Sequence, residues 1–317
     1  MITADISLVY QDHHLLIVNK PAGIVIHPTY KYSDGTLWNL LLAHLAKQGG
    51  DDWHPPELPD EPEWARAPLH VREMLRQKRI ERLWKEDGLL PRPSLLHRLD
   101  KDTSGVVALG RTESSRRHII RQFHDHTIVK RYLAVVQQGA PDWAEPNVPL
   151  IVLRRHRDGS ESTADASFIL APSGDESFVL DGPLQRDPDE RRRCIVGPTG
   201  QVATTVVKVL TVENGFSLLD VRPVTGRTHQ IRAHLAALGY AIVGDQTYAL
   251  PPEKNTPAAA LSRQFLHAFS LTIRTYPENK VSTFTAPLAN DLAAWLACYF
   301  PAAMHHVSIP IEEIEQS

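Results

Sequence analysis

The chain has 317 residues, of which 42% are hydrophobic and 22% are charged, a composition typical of a globular protein with a substantial core. Two cysteines exclude a disulfide framework and a four-thiolate zinc site, and the apolar runs are too short to span a membrane. The formal net charge of -3 disfavours nucleic acid as a partner, because Lys and Arg supply most phosphate contacts. Composition alone therefore favours a small-molecule enzyme of the reducing cytoplasm, and the acidic N-terminus predicts no secretory signal.

The N-terminal segment begins with a predicted strand pair over residues 6–10 and 15–18, closed by a turn at 20–23 that contains Pro and Gly. A helix follows, because leucines recur at helical spacing at Leu37, Leu40, Leu41 and Leu45. We expect Ser33 or Asp34 to cap this helix and the Gly49-Gly50 pair to end it.

Residues 49–93 are rich in Pro, and their apolar residues do not form one helical face. We interpret this segment as an inserted, partly helical excursion. Its charges are segregated: residues 51–63 contain six acids and no Lys or Arg, whereas residues 66–85 contain seven bases and two acids. The net charge is therefore a poor guide to local surfaces, and we expect the basic half to contact a polyanion.

The rest of the chain alternates between strands and helices, with residues 139–200 broken into short segments by Pro and Gly. The predicted strands are at 105–110, 129–137, 202–210, 216–221 and 265–273. A helix is predicted at 114–124 with Ile119, Ile120 and Phe123 inward, and a second helix is marked by Ile231, Leu235 and Leu238 and capped by Gly239. A closing helix, within a C-terminal helix and tail at 288–317, is marked by Leu292, Trp295, Leu296 and Tyr299. This order predicts a sheet with helices packed on it.

The densest polar segment, residues 96–105, allows several interpretations. Asp100 and Asp102 fit the first positions of a calcium loop, but Arg111 stands where a bidentate Glu is required, so calcium is excluded. A magnesium-dependent phosphotransferase using both aspartates and a capped turn before a strand both stay open.

Two further segments carry polar residues for which both a functional and a purely structural role stay open. His229 and His234 lie about 140° apart around a helix of ~3.6 residues per turn, so they do not share a metal-binding face. Arg227 precedes the same helix and could pair with a carboxylate, or belong to a solvated surface. Lys130 and Tyr132 share one face of a predicted strand, where the ring could stack on a nucleobase or belong to the core.

Taken in order, four segments resemble the RluA-type family of RNA pseudouridine synthases. They are Asn19-Lys20-Pro21-Ala22-Gly23 with His27-Pro28, His97-Arg98-Leu99-Asp100-Lys101-Asp102-Thr103-Ser104-Gly105, Lys130-Arg131-Tyr132, and Gly226-Arg227-Thr228-His229-Gln230-Ile231-Arg232 running through His234-Leu235 to Gly244-Asp245. The resemblance implies an α+β fold, with a mixed, largely antiparallel sheet flanked by helices. It implies a single catalytic domain over 1–317 with an insertion at 49–93, and no N-terminal S4-like domain.

The resemblance also implies that specific uridines in structured RNA, ribosomal or transfer, are isomerised to pseudouridine without a cofactor or metal. Asp100 matches the family's catalytic aspartate, Arg227 matches the arginine that pairs with it, and Tyr132 matches the tyrosine that stacks on the flipped base. The residues expected to bind RNA are Arg98, Lys20, Lys130, Arg131 and Arg232. His97, His229 and His234 are interpreted as structural.

Further expectations are a monomer in the cytoplasm, with RNA as partner and no membrane. The route stays open between attack at C1′, attack at C6 and a glycal intermediate. Two other functions also stay open: the magnesium-dependent phosphotransferase, and an RNA-binding module without turnover.

Overall fold

The computed structural model describes residues 6–28, 32–48, 89–137, 148–249 and 256–308, with single positions between 64 and 78. Its strands are β1 (Ser7–Gln11), β2 (Leu15–Lys20), β3 (Leu89–Leu95), β4 (Ser104–Thr112), β5 (Val129–Gln137), β6 (Ile151–Arg155), β7 (Glu161–Thr163), β8 (Ser177–Asp181), β9 (Leu184–Arg186), β10 (Cys194–Val196), β11 (Thr204–Glu213), β12 (Phe216–Pro223), β13 (Leu266–Arg274) and β14 (Val281–Thr285). Its helices are α1 (Leu37–Gln48), α2 (Glu113–His124), α3 (Gln230–Ala237), α4 (Asn290–Tyr299) and α5 (Met304–Ser308), with 3₁₀ turns at Ala166–Leu170, Ala258–Ala260 and Pro301–Ala303.

One long sheet runs in the order β1-β2-β4-β13-β5-β12-β11-β8-β6-β7, with β3 paired to β4 and β14 paired to β13. Its neighbours are antiparallel except for β4 and β13, which are parallel. β9 and β10 form a separate hairpin. The predicted mixed, largely antiparallel α+β fold is confirmed.

The strand alternation places helices on both faces of the sheet. In β2, Leu16 and Val18 pack with α1 in one core cluster, whereas Leu15 and Ile17 pack with Ile119 of α2 in another. Because successive side chains of a strand point to opposite faces, α1 and α2 cover opposite sides of this part of the sheet. The central strands β5, β12 and β13 share a third cluster with α3 and α4.

The parallel contact between β4 and β13 places the loop that precedes β4 beside the centre of the sheet. Gly105 lies opposite Ala268, at a φ of +117° that disfavours any residue with a Cβ. A Cβ atom at this position would lie 2.1 Å from the Ala268 carbonyl oxygen. This close approach of two backbones fixes the end of the loop that carries Asp100.

Several predicted elements are confirmed closely. The N-terminal strand pair is β1 and β2, the strand predicted over 129–137 is β5 with the same bounds, and the closing helix is α4. The α4 residues Leu292 and Leu296 are fully buried. No helix among the described residues is long and apolar enough to cross a membrane.

Other predictions need correction. Thr36 caps α1, since its hydroxyl accepts from the Asn39 N–H at 3.3 Å, so neither Ser33 nor Asp34 has this role. Ile120 on α2 is exposed, because the buried stripe of this helix runs through Ser115, Ile119 and Gln122.

Strand β3 overlaps the end of the insertion predicted at 49–93 and extends beyond it to Leu95. It contains two prolines, Pro91 and Pro93, which interrupt its hydrophobic pattern in the sequence. The pairing of β3 with β4 is interrupted by a register shift between Leu89 and Ser94. Strands β6 to β8 also form a regular part of the sheet where the sequence predicts only short segments. The remainder of the insertion at 49–88 and the tail after 308 lie largely outside the described residues, so those predictions stay untested.

Candidate active site

Asp100 lies in the loop between β3 and β4, and that loop is held by hydrogen bonds to its backbone carbonyls. The Lys101 carbonyl accepts from the Gly23 N–H at 3.0 Å and from Lys20 Nζ at 2.9 Å, and Thr103 N–H donates to the Asp100 carbonyl at 3.2 Å. The side chain of Asp100 is 26% exposed, which leaves one edge of the carboxylate open to a cavity.

The carboxylate of Asp100 is paired with Arg232, on the first turn of α3. Arg232 Nη1 lies 3.1 Å from Asp100 Oδ2, and the guanidinium donates two further hydrogen bonds to Asp245, at 2.6 and 2.8 Å. Tyr248 lies against the guanidinium, with its ring centroid 5.0 Å from Cζ. Asp245 and Tyr248 thus hold Arg232 in the position from which it contacts Asp100.

The surroundings of Arg232 favour its charged form. Burial lowers the pKa of Arg232, but its hydrogen bonds to Asp245 and the negative charges of Asp245 and Asp100 raise that pKa above its ordinary value. The guanidinium is only 7% exposed, so its field on Asp100 is weakly screened by solvent. Asp100 therefore lies beside a fixed positive charge, and a carboxylate is a group that can act as a nucleophile.

The predicted pairing of Asp100 with Arg227 is corrected. The Arg227 side chain is exposed, and its Nε donates to the Val202 carbonyl at 3.1 Å. The physical reason is local: helix α3 begins only at Gln230, so Arg227 belongs to the turn before it, whereas Arg232 lies on the buried surface of the helix. Sequence spacing alone does not distinguish these two arginines.

Tyr132 projects from β5 into the same cavity. Burial and the negative charge of Asp100 both raise the pKa of its phenol, which therefore stays protonated at neutral pH. The cavity has a volume of about 340 Å³, within the range of small-ligand sites. It brings together six of the predicted site residues: Arg98, Asp100, Lys130, Tyr132, Arg227 and Arg232.

Two predicted RNA contacts, Lys20 and Arg131, are corrected because both side chains are buried. Lys20 Nζ donates to the carbonyls of Pro21, Ile24 and Lys101, and burial lowers the pKa of this amine to about 7. Lys20 thus fixes the turn after β2 to the Asp100 loop. Arg131 forms a buried ion pair with Asp220 at 2.9 Å, within the sheet.

Arg98 and Lys130 remain at the cavity. Arg98 is exposed, beside the nucleophile candidate. Lys130 Nζ donates to the Thr225 carbonyl at 2.9 Å, and burial lowers the pKa of this lysine to about 8. Both line the cavity that holds Asp100.

The three histidines have different surroundings. His234 is fully buried between the Thr205 hydroxyl and the Gly182 carbonyl, each at 2.9 Å, and His97 accepts the Ala108 N–H at 3.0 Å. Burial lowers the pKa of His97 to about 3, so its ring is neutral. His97 and His229 both line the cavity, and the Nε2 atom of His229 lies 3.8 Å from Asp100 Oδ2.

Sequence reasoning assigned no role to Asp245 and Tyr248, which hold Arg232. The available signal was the Gly244-Asp245 segment, which follows α3 closely enough for its carboxylate to reach back to that helix. Asp245 is buried and also accepts from the backbone N–H groups of Thr247 and Tyr248. Within the described ranges, no group of three or more His, Cys, Asp or Glu is placed to hold a metal ion.

A carboxylate held by a buried guanidinium, beside a tyrosine in a cavity with basic residues at its edge, defines an enzyme site suited to a polyanionic substrate. The profile of the RNA pseudouridylate synthase family matches residues 14–237. The chain belongs to this family, and it is an RNA pseudouridine synthase, an isomerase that acts on uridine in RNA. The predicted RluA-type resemblance is confirmed.

Individual relatives agree with this assignment. The chain is 28% identical over 309 residues to a ribosomal large subunit pseudouridine synthase D of Nitrosomonas europaea, covering 96% of this chain and 69% of the relative. It is 32% identical over 288 residues to an uncharacterized RNA pseudouridine synthase of Chloroflexus aurantiacus, covering 91% of this chain and 67% of the relative. The solved structure of human RNA pseudouridylate synthase domain containing 4 shares the fold, with a TM-score of 0.54 at 20% identity over 92% of each chain.

Proposed function

We infer that this enzyme isomerises specific uridines of ribosomal RNA, with Asp100 as the nucleophile acting on a base flipped out of the RNA. The observation that carries this proposal is the Asp100 carboxylate, 3.1 Å from the buried Arg232 guanidinium and open to a cavity that Tyr132 also lines. Relatives from Nitrosomonas europaea, Zymomonas mobilis and Pseudomonas aeruginosa are ribosomal large subunit pseudouridine synthases by name, which supports ribosomal over transfer RNA. We expect a monomer that acts in the cytoplasm, and the presence of only two cysteines in the sequence agrees with that compartment.

The reaction requires that the base leave its stack. The Asp100 carboxylate is largely enclosed, so the anomeric carbon of a stacked nucleotide would be out of its reach. Extrusion of the nucleotide brings C1′ and the uracil into the cavity together. Tyr132 offers the ring face on which the extruded uracil stacks.

Asp100 provides the covalent step without any redox partner. The N1–C1′ bond breaks, a C5–C1′ bond forms, the proton at C5 is lost and N1 gains a proton, so the atoms balance within the nucleoside and solvent. An Asp100 oxygen bonds to C1′ as N1 leaves, adds to C6, or assists a glycal route. In each case Arg232 lies beside the reacting carboxylate, and a water beside the Tyr132 hydroxyl accepts the C5 proton, because the phenol itself stays protonated.

The basic residues at the cavity position the RNA around the flipped nucleotide. Arg227 and Arg98 are exposed, and Lys130 lines the same cavity. Their donors suit phosphate oxygens, and Arg98 could also occupy the space that the base vacates. These local positive charges explain how a chain with a net charge of -3 can bind a polyanionic RNA.

The proposal is tested by tritium release from ribosomal RNA transcripts labelled at C5 of uridine. Wild-type protein should release tritium in the presence of EDTA, and Asp100→Asn should release none while binding the RNA with similar affinity. Asp102→Asn is the matched control: it should retain turnover here, but it would abolish activity in a magnesium-dependent phosphotransferase that uses both aspartates. Turnover by Asp100→Asn, or loss of wild-type activity in EDTA, would refute the proposal.

A further inference from the structure

His229 occupies a position beside Asp100 that the reaction described above does not use. It precedes α3 with a φ of +56°, a left-handed conformation that costs energy for a residue with a Cβ. This backbone turns the imidazole into the cavity wall, between the Tyr248 hydroxyl and the Asp100 carboxylate.

The hydrogen bonds of Tyr248 determine which nitrogen of His229 carries the proton. The Tyr248 hydroxyl accepts from the Cys194 N–H at 2.8 Å and donates its single proton to the Cys194 carbonyl at 2.8 Å. His229 Nδ1 lies 3.2 Å from the same hydroxyl oxygen and must therefore be the donor in that contact. In the neutral ring, Nε2 then bears the lone pair.

The ring is neutral at pH 7. Burial lowers the pKa of His229, and the positive charge of Arg232 lowers it further, against an opposing effect from Asp100 and Asp245. Nε2 of His229 and Oδ2 of Asp100, 3.8 Å apart, are consequently two hydrogen-bond acceptors that face the same part of the cavity. The group that complements them is a hydrogen-bond donor.

A ribonucleotide carries such a donor next to the reacting atom. When Asp100 acts at C1′, one of the routes of the proposed function, the 2′-hydroxyl is attached to the neighbouring carbon and lies at this pair of acceptors. We propose that His229 Nε2 accepts a hydrogen bond from the 2′-hydroxyl of the target uridine, so that His229 selects ribose over 2′-deoxyribose. The inference rests on the proposed function, and it assigns to His229 a specificity role in place of the purely structural one.

The test measures sugar discrimination with a synthetic stem-loop that covers a uridine modified in the ribosomal transcript. The target position carries either uridine or 2′-deoxyuridine, and the ratio of the two single-turnover rate constants is the discrimination factor. We expect His229→Ala to reduce this factor by about 10-fold or more, because it removes the partner of one hydroxyl. Tyr248→Phe should reduce it in the same direction, since the phenylalanine ring no longer fixes the His229 tautomer.

Arg227→Ala is the control, because its side chain lies at the edge of the cavity and should slow both substrates equally. Binding of the two stem-loops to Asp100→Asn, with and without His229→Ala, gives the same comparison when the deoxy substrate is not turned over. A discrimination factor that His229→Ala leaves unchanged would overturn the inference, even if both rates fell. Absence of turnover of the ribose substrate by wild-type protein would instead count against the proposed function.

Discussion

Arg232 and Arg227 belong to the same short segment, yet they have different surroundings. Arg232 is buried, contacts Asp100, and is held by Asp245 and Tyr248, whereas Arg227 is exposed and donates to a backbone carbonyl. A fixed cation beside a nucleophile lowers the activation free energy of a reaction that changes the charge on that nucleophile, because the cation does not have to move into position during the reaction. The catalytic contribution should therefore come from Arg232.

This assignment predicts different effects for the same conservative change at the two positions. Arg232→Lys keeps a positive charge but cannot contact Asp245 through two nitrogens and also reach Asp100, so kcat should fall by about 100-fold. Arg227→Lys should leave kcat nearly unchanged and alter KM. Single-turnover and steady-state tritium release from the same RNA measures both constants.

A fall in kcat for Arg227→Lys with normal turnover by Arg232→Lys would reverse the assignment. Thermal unfolding of each variant is the necessary control, since a buried ion pair that loses one partner can destabilise the fold by ~3–5 kcal/mol. The conservative change to Lys limits that risk at Arg232.

The sequence was informative about individual residues wherever a residue's role depends on its type and immediate neighbours. Asp100 and Tyr132 were identified as site residues, and the structure places both at one cavity. The roles of Arg227, Lys20 and Arg131 depend on which way a side chain points and how deeply it is buried. Those properties follow from where α3 begins and how β2 and β5 sit in the sheet, which single-sequence patterns do not specify.

At the scale of elements, the site depends on the junction of β4 and β13. The loop with Asp100 ends at Gly105, whose backbone lies against Ala268 of the parallel neighbour. The loop is also fixed next to Asp100, where the Lys101 carbonyl accepts from the Lys20 amine and from the Gly23 N–H in the turn after β2. The position of Asp100 therefore depends on β2 as well as on the contact between β4 and β13.

We predict that Gly105→Ala separates β4 from β13. The new methyl group would lie 2.1 Å from the Ala268 carbonyl oxygen, at a φ of +117°, so the backbones must move apart. The free energy of unfolding should fall by about 3 kcal/mol or more, with loss of turnover. Urea denaturation followed by circular dichroism measures the change.

Gly159→Ala is the matched control, because Gly159 also has a positive φ, of +83°, but has open space around its Cα. This variant should lose only about 1 kcal/mol through backbone strain and remain active. Equal destabilisation of the two variants would show that backbone strain, and not the close approach of β4 and β13, explains the requirement at Gly105.

Prediction of the elements succeeded where hydrophobic periodicity was uninterrupted, as in β5 and α4. It failed for β3, because Pro91 and Pro93 interrupt that pattern in a strand with few pairing contacts. It also failed for the strands between 151 and 181, whose pairing is set by partners distant in the chain. The pairing register between strands that are distant in the chain cannot be predicted from the residue pattern of a short sequence segment.

At the scale of the whole molecule, charge distribution outweighs net charge. The chain is slightly acidic overall, but Arg98, Lys130 and Arg227 converge at the cavity of Asp100. Electrostatic binding to RNA depends on the phosphates that local cations reach, so a total charge near zero is compatible with an RNA substrate. The net charge favoured a small-molecule enzyme because it averages the local basic residues with the acids elsewhere in the chain.

The central claim is that Asp100 converts particular uridines of ribosomal RNA to pseudouridine. The most direct measurement maps pseudouridine at nucleotide resolution, by chemical probing, in ribosomal and transfer RNA from cells that lack the protein and from the same cells supplied with wild-type protein or Asp100→Asn. We predict that discrete positions of large-subunit ribosomal RNA lose the modification and that wild-type protein restores them, whereas Asp100→Asn does not. An unchanged ribosomal RNA map, or restoration by Asp100→Asn, would contradict the account.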